Sequence, residues 1–96
     1  MTGELDGHWK VERVSGLLPP LVGVRKRIDG PRGVTALGPL PGLPFEVVGR
    51  ELRYRGPLRG LVDVVEPAGD LAHGVAVYRG RRLGRFRMRR RPPPAG

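Results

Sequence analysis

Glycine and proline are spaced along this chain so closely that they leave little room for a helix. The 96 residues include 16 Gly and 11 Pro, which are scattered rather than clustered. Both residue types are unfavourable inside helices, and proline also lacks the backbone N–H. No window of eleven or more residues combines a 3.6-residue apolar period with freedom from Gly and Pro; within 44–55 the apolar residues alternate instead. The sequence therefore predicts an all-β fold.

Short Val- and Leu-rich runs recur every eight to twelve residues, and turns that contain Gly or Pro separate them. The predicted strands are 8–14, 22–28, 33–37, 44–48, 51–55, 60–66, 72–78 and 83–89. A short, eight-stranded antiparallel up-and-down barrel is the simplest arrangement, because closure removes the exposed strand edges. A small β-sandwich is the alternative.

The length and composition predict one β-barrel domain over 1–90, followed by a disordered, Pro-rich tail at 91–96. The sequence has no Cys, so it forms neither a disulfide framework nor a thiolate metal site. It shows neither a run of about eighteen apolar residues nor a signal peptide. We therefore expect a cytoplasmic protein.

The segment Gly7-His8-Trp9 stands at the start of the first predicted strand and contains the only Trp. In this feature the chain resembles the calycin superfamily, the lipocalin-like barrels, whose first strand begins with Gly-x-Trp. The resemblance spans about residues 5–90 and implies an eight-stranded barrel. It also implies that an Arg of the last strand packs across the indole, with Arg87 and Arg89 as the candidates. Gly7, Trp9 and that Arg then close one end of the barrel without contacting a ligand.

The predicted interior is lined by medium-sized side chains, and an eight-stranded barrel can hold one small ligand. Strands of about six residues tilted by about 40° give a barrel only about 15 Å tall, which favours a small apolar pocket over a long tunnel. The predicted pocket residues are Leu17, Leu18, Val24, Phe45, Tyr54, Val62, Val64, Phe86 and Met88, with Val11, Val47, Val75 and Val77 as further interior residues.

Three Leu lie in the proline-stiffened connection 16–21, Gly-Leu-Leu-Pro-Pro-Leu. A soluble monomer usually hides an apolar surface patch of this kind. Three interpretations stay open: these Leu plug the barrel mouth, form a lid over a hydrophobic ligand, or insert into a membrane or a partner. Leu40 and Leu43, in a second Pro-rich connection, extend the same patch.

Asp63 interrupts the apolar run 61–65 and is the only charged residue in that run. In one register Asp63 faces inward, where it needs Lys26 or an Arg as its partner. The other register buries Val62 and Val64 and leaves Asp63 in water. We predict the second register.

Residues that commonly carry catalysis are few in this chain. Ser15 is the only Ser, and it lies outside a Gly-x-Ser-x-Gly motif. His8 and His73 are the only His residues, and their spacing matches no metal-binding motif. We therefore expect no catalytic site, no metal, no cofactor and no enzymatic activity.

The net charge of +9 is concentrated near the end of the chain. Residues 79–91 hold eight Arg and no acidic residue, which leaves +1 for the rest. The predicted anion-binding residues are Arg81, Arg82, Arg85, Arg87 and Arg89. Such a stripe can contact an anionic lipid surface or nucleic-acid phosphates. A solvated charged face, with a base-composition bias that favours Arg over Lys, is the alternative.

These features together predict a non-catalytic protein that binds a small apolar molecule or lipid, at an anionic membrane surface. A nucleic-acid-associated protein that uses the C-terminal Arg residues is the first alternative. A structural or interaction domain is the second. The sequence does not indicate an oligomeric state.

Overall fold

Eight antiparallel strands close into a barrel in which each strand pairs with the next along the chain, and the last pairs with the first. The computed structural model describes residues 3–18, 21 and 23–91. The strands are β1 (Gly7–Gly16), β2 (Val24–Asp29), β3 (Arg32–Leu37), β4 (Leu43–Val48), β5 (Glu51–Tyr54), β6 (Leu61–Ala68), β7 (Leu71–Tyr78) and β8 (Arg81–Arg91). This topology confirms the predicted all-β up-and-down barrel and excludes the sandwich.

Arg91, which was predicted to be the first residue of the tail, is the last residue of β8. The remainder of that tail, 92–96, lies outside the described residues, as do 19, 20 and 22 of the proline-stiffened connection. In the part of the chain that the structure describes, no helix is long and apolar enough to cross a membrane.

Side chains alternate between the interior and the outer surface along the strands. On β2, Val24, Lys26 and Ile28 are buried, whereas the residues between them are exposed. On β8, Phe86 and Met88 are buried in the same way. The interior is therefore formed by one face of every strand, as expected for a barrel.

Strand β6 has the register opposite to the predicted one. Asp63 and Val65 are buried, whereas Val64 is 44% exposed and Val62 lies on the same outer face. The apolar run gives no alternation that distinguishes its two faces. In the pairing with β5, Asp63 stands opposite the buried residue Leu52, so both side chains face the interior.

Strand β7 likewise turns Val75 and Val77 to the outer face, although both were predicted to lie inside. The interior positions of β7 hold small residues instead, namely Ala72, Gly74 and Ala76. Small side chains on this wall leave room inside the barrel for larger side chains from neighbouring strands.

Two aromatic rings lie across cross-strand glycines. Phe45 pairs with Gly33, and Phe86 pairs with Gly74. A Cβ atom on Gly33 would lie 2.3 Å from the Phe45 ring, and one on Gly74 would lie 2.2 Å from the Phe86 ring. Glycine is therefore required at both positions for each ring to cover the wall of the barrel.

The segment before β1 covers one end of the barrel and contacts the turns there. Leu5 is buried, and its carbonyl accepts a 2.8 Å hydrogen bond from Trp9 Nε1. Asp6 Oδ1 accepts a 2.9 Å bond from the backbone N–H of Gly30, in the β2–β3 turn. Glu4 forms a 3.3 Å ion pair with Arg50, in the β4–β5 turn. These contacts close this end of the barrel.

The Arg that packs across the indole is Arg90, and not Arg87 or Arg89. The Arg90 guanidinium carbon lies 4.4 Å from the centre of the Trp9 ring. Gly7 allows this approach, because its φ is 128° and a Cβ atom there would lie 3.4 Å from Arg90 Nε. Along β8, Arg90 is in phase with the residues that face the interior, whereas Arg87 and Arg89 are in phase with the residues that face outward.

Candidate functional site

A cavity of about 270 Å³ lies at the end of the barrel opposite Trp9 and is open to solvent. Seven Leu side chains line it, Leu18, Leu21, Leu37, Leu43, Leu58, Leu61 and Leu83. Its remaining apolar wall consists of Val11, Val24, Ala76 and Phe86. The surface that the cavity presents is therefore almost wholly apolar.

Part of the proline-stiffened connection folds back over this cavity. Leu18 and Leu21 are partly buried and pack against the core. The Arg13 side chain donates to the carbonyls of Gly16 and Leu18, at 2.6 and 2.9 Å. Leu17, in contrast, is 87% exposed and points away from the barrel. The connection thus both covers the mouth and presents one apolar side chain to its surroundings.

Four polar side chains meet in the barrel interior beside the cavity. Lys26 Nζ donates to Thr35 Oγ1 at 2.8 Å and to the Tyr54 hydroxyl. The same ammonium group lies 3.1 Å from Asp63 Oδ2. The Tyr54 hydroxyl lies 2.5 Å from Thr35 Oγ1 and donates to Asp63 Oδ2 at 3.3 Å. We call these four residues, which come from β2, β3, β5 and β6, the interior polar cluster.

Three aromatic rings surround the Lys26 ammonium group. It lies 5.4 Å from the ring centre of Phe45, 5.1 Å from that of Tyr54 and 5.8 Å from that of Phe86. A cation is attracted to aromatic faces within about 6 Å, more strongly where water is excluded. The contacts with the three rings and with Asp63 together offset the free-energy cost of removing this charge from water.

The pKa values of two members of the interior polar cluster are shifted. Burial by itself lowers the pKa of Lys26, but the Asp63 carboxylate and Tyr54 outweigh it, so the pKa is raised above 10.5. Burial raises the pKa of Tyr54 above 10.0. Both groups therefore keep their protons at neutral pH. Because an ammonium group is not a nucleophile, the cluster is suited to hydrogen bonding rather than to covalent chemistry.

The structure brings only some of the predicted pocket residues together. Those that line the cavity are Leu18, Val24, Tyr54 and Phe86. Phe45 and Met88 are buried in the core beside it, and Leu17 projects outward. Val62 and Val64 lie on the outer face of β6 and do not contribute to the cavity.

Lys26, Thr35 and Asp63 were missed as pocket residues. The sequence carries a signal for two of them, since Lys26 alternates in phase with the apolar residues of its strand. A cation at a buried position needs an anion, and Asp63 is the acidic residue that interrupts an apolar strand. Nothing in the pattern distinguishes Thr35 from a residue of the outer face.

No known protein family, curated protein or solved structure matches the chain. The interpretation of the site therefore depends on its own geometry. Within the described ranges, no group of His, Asp or Glu side chains is arranged to hold a metal ion.

A basic surface extends over the outer face of β8, β1 and β2. Arg89 pairs with Lys10, and Lys10 pairs with Arg25, so three positive charges stand in one cross-strand row. Like charges placed side by side on a sheet are destabilising. Arg87 is partly neutralised, because it lies 2.8 Å from Glu12 and its hydrogen bond lowers the pKa of that carboxyl group. Excess positive charge therefore remains on this face, which also carries Arg85.

Charge also differs between the two ends of the barrel. The connections between strands at the mouth are 17–23, 38–42, 55–60 and 79–80, and their sequences contain no acidic residue. Three basic residues, Arg55, Arg59 and Arg79, lie in these connections, and Arg81 and Arg82 follow at the start of β8, which makes five Arg at this end. Acidic residues, among them Glu4, Asp6 and Asp70, are found near the closed end. The mouth is therefore the basic end of the molecule.

Proposed function

We propose that the protein binds a small hydrophobic ligand inside its barrel and does so without catalysis. The observation that carries this proposal is the open, apolar cavity of about 270 Å³. An apolar cavity of about 150 Å³ holds one benzene molecule, and ligand pockets generally begin at about 300 Å³. The ligand is accordingly about the size of one ring with a short substituent.

The fold supports the proposal without identifying the ligand. Lipocalins show that an eight-stranded barrel can hold one small molecule in its interior. A lipocalin-like, calycin-type barrel is compatible with this topology and with the position of Gly7 and Trp9 at the closed end. A ligand would also cover Leu side chains at the mouth, and each Å² of apolar surface removed from water contributes about 25 cal/mol.

Native mass spectrometry of gently purified protein tests the proposal. We expect a stoichiometric small-molecule adduct that organic extraction removes. Ala76→Leu places a larger side chain in the cavity and should abolish the adduct. Val64→Leu is the matched control, because residue 64 lies on the outer face and should leave binding unchanged. Loss of the adduct in both variants, or in neither, argues against binding in the cavity.

We further propose that the mouth docks on an anionic membrane surface. Leu17 and Leu40 are 87% and 62% exposed, and they lie at the same end of the barrel as the five Arg of the basic end. Each Arg near an anionic bilayer contributes about 1 kcal/mol, and exposed Leu side chains can insert among the lipids. A ligand that partitions into lipid would then reach the cavity directly.

Binding to nucleic acid is the competing interpretation of the same charge. Barrels that bind single strands use exposed aromatic rings on which bases stack. Among the residues with described exposure, Tyr78 is the exposed aromatic residue, and Arg79 lies 5.4 Å from its ring centre. A single exposed ring offers only one position for base stacking, which favours the membrane.

Co-sedimentation with vesicles separates the two interpretations. We expect binding to phosphatidylserine-containing vesicles but not to pure phosphatidylcholine. Leu17→Ser should weaken that binding, whereas Val48→Ser, at an exposed position in the strand that leads to the closed end, should not. Tighter, salt-dependent binding to a single-stranded oligonucleotide, reduced by Arg85→Gln and Arg89→Gln, would favour nucleic acid instead.

A further inference from the structure

We infer that the ligand carries a neutral hydrogen-bond donor, such as the hydroxyl group of a small alcohol or phenol, and that Asp63 Oδ1 accepts it. The inference rests on the proposed function, because it names the chemical class of ligand for the same cavity. It follows from the hydrogen bonds of the interior polar cluster, which leave an acceptor available and no donor.

The donors of the interior polar cluster are all engaged. The Lys26 ammonium group donates to Thr35 Oγ1 and to the Tyr54 hydroxyl, and it forms an ion pair with Asp63 Oδ2 at 3.1 Å. Tyr54 has one O–H and gives it to Asp63 Oδ2. The contact between Thr35 and Tyr54 must then use the Thr35 hydroxyl as its donor. Nothing in the cluster remains to donate to a ligand.

An acceptor remains on Asp63. Both of its contacts within the cluster use Oδ2, and no donor from the described residues reaches Oδ1. A carboxylate offers about four lone-pair sites on its two oxygens, so Oδ1 retains its capacity. The Asp63 side chain is only 7% exposed and lines the cavity. In the described part of the chain, the fully buried side-chain polar atoms without a hydrogen-bond partner are Nε of Arg87 and Nε of Arg90. Asp63 Oδ1 has no partner among the described residues and is not one of these atoms, so it is not fully buried.

This arrangement selects against two other kinds of polar ligand. A carboxylate brings only acceptors and a negative charge beside Asp63, while the Lys26 cation is already engaged. An ammonium ligand would add an uncompensated charge, because Lys26 and Asp63 neutralise each other. An ether or hydrocarbon in the cavity would leave Oδ1 without a hydrogen-bond donor, which also lowers affinity.

Three probes that share one ring test the inference: benzyl alcohol, benzyl methyl ether and phenylacetate. Each is titrated into the ¹⁵N-labelled full chain, and the dissociation constants are obtained from amide chemical shifts. We expect benzyl alcohol to bind about tenfold more tightly than either analogue, the ratio expected for one hydrogen bond to a charged acceptor. Shifts should centre on cavity residues such as Val24 and Ala76.

The outcomes distinguish the inference from the function on which it rests. Equal affinity for alcohol and ether would overturn the inference while leaving ligand binding in the cavity intact. Preference for phenylacetate would also overturn it, because Lys26 would then be the anchor. No shift of cavity residues with any probe would overturn the proposed function as well.

A double variant provides the matched control. Lys26→Met with Asp63→Leu removes both charges together, so neither partner is left unpaired in the interior. We expect this protein to bind the ether and the alcohol with similar affinity. Persistence of a tenfold preference for the alcohol in the double variant would show that Asp63 is not the acceptor.

Discussion

Lys26 Nζ lies 3.1 Å from Asp63 Oδ2, although the two residues belong to β2 and β6, on opposite walls of the barrel. The side chains are only 4% and 7% exposed. The ion pair therefore spans the interior and joins two strands that share no backbone hydrogen bonds. It also fixes the floor of the cavity, because Thr35 and Tyr54 bond to the same ammonium group.

Breaking this pair should destabilise the protein more than replacing it. Asp63→Ala leaves the Lys26 charge buried without its partner, and we expect the free energy of unfolding to fall by about 3–5 kcal/mol. The double variant Lys26→Met/Asp63→Leu should lie within about 1 kcal/mol of the wild type or above it. Urea unfolding followed by the fluorescence of Trp9 measures both.

The control for this prediction is an exposed ion pair. Arg53 lies 3.0 Å from Glu51, with both side chains about half exposed. Arg53→Ala should therefore cost no more than about 1 kcal/mol. If Asp63→Ala costs as little as Arg53→Ala, the Lys26–Asp63 pair is not buried in solution.

Stability should decrease at alkaline pH. The pKa of Lys26 is raised above 10.5, so the native protein retains a proton that the unfolded chain releases. The raised pKa of Tyr54, above 10.0, acts in the same direction. A native state that binds more protons loses stability as pH rises, by up to about 1.4 kcal/mol per pH unit for each proton. These groups contribute their full stabilisation below about pH 10.

Urea unfolding at a series of pH values from about 8 to about 11.5 tests this prediction. Lys26→Met/Asp63→Leu lacks the buried amine, so its alkaline loss of stability should be smaller than that of the wild type. Equal losses in the two proteins would show that Lys26 does not titrate as the structure implies.

The closed end should depend on Arg90 and not on its neighbours in β8. Arg90 packs on Trp9 and donates to the Glu4 carbonyl at 2.7 Å. Arg90→Gln removes the cation–π contact and should lower the free energy of unfolding by about 1–2 kcal/mol, with a change in Trp9 emission. Arg89→Gln, on the outer face, should change it by less than about 0.5 kcal/mol. A larger effect at 89 than at 90 contradicts this assignment.

The correct partner of Trp9 could have been obtained from the sequence. Phe86 and Met88 were predicted to face inward, and the next residue of that parity is Arg90. Arg87 and Arg89 alternate with these residues and therefore face outward. The prediction chose an Arg from the outward face of β8, although Phe86 and Met88 already indicated which face is inward.

The register of β6 was harder to predict. Val62 and Val64 are as apolar as Leu61 and Val65, so burial of either face removes similar apolar area. The deciding interaction is the one between Asp63 and Lys26, which are 37 positions apart in the chain (63 − 26). A pattern within one strand cannot show it. The eight strands themselves were predictable, because turns that contain glycine or proline separate the apolar runs along the chain.

The fit of Phe86 over Gly74 links the barrel wall to the cavity. Because a Cβ atom at 74 would lie 2.2 Å from the ring, Gly74→Ala should cost about 1–3 kcal/mol by overpacking. It should also push the ring toward the cavity that Phe86 lines, and so weaken binding of benzyl alcohol. In a Phe86→Leu background the same substitution should be neutral or stabilise by up to about 1 kcal/mol, since alanine is better than glycine in a strand. Urea unfolding of the four proteins in this cycle measures the coupling. An equal cost of Gly74→Ala in both backgrounds would mean that the ring does not cover residue 74.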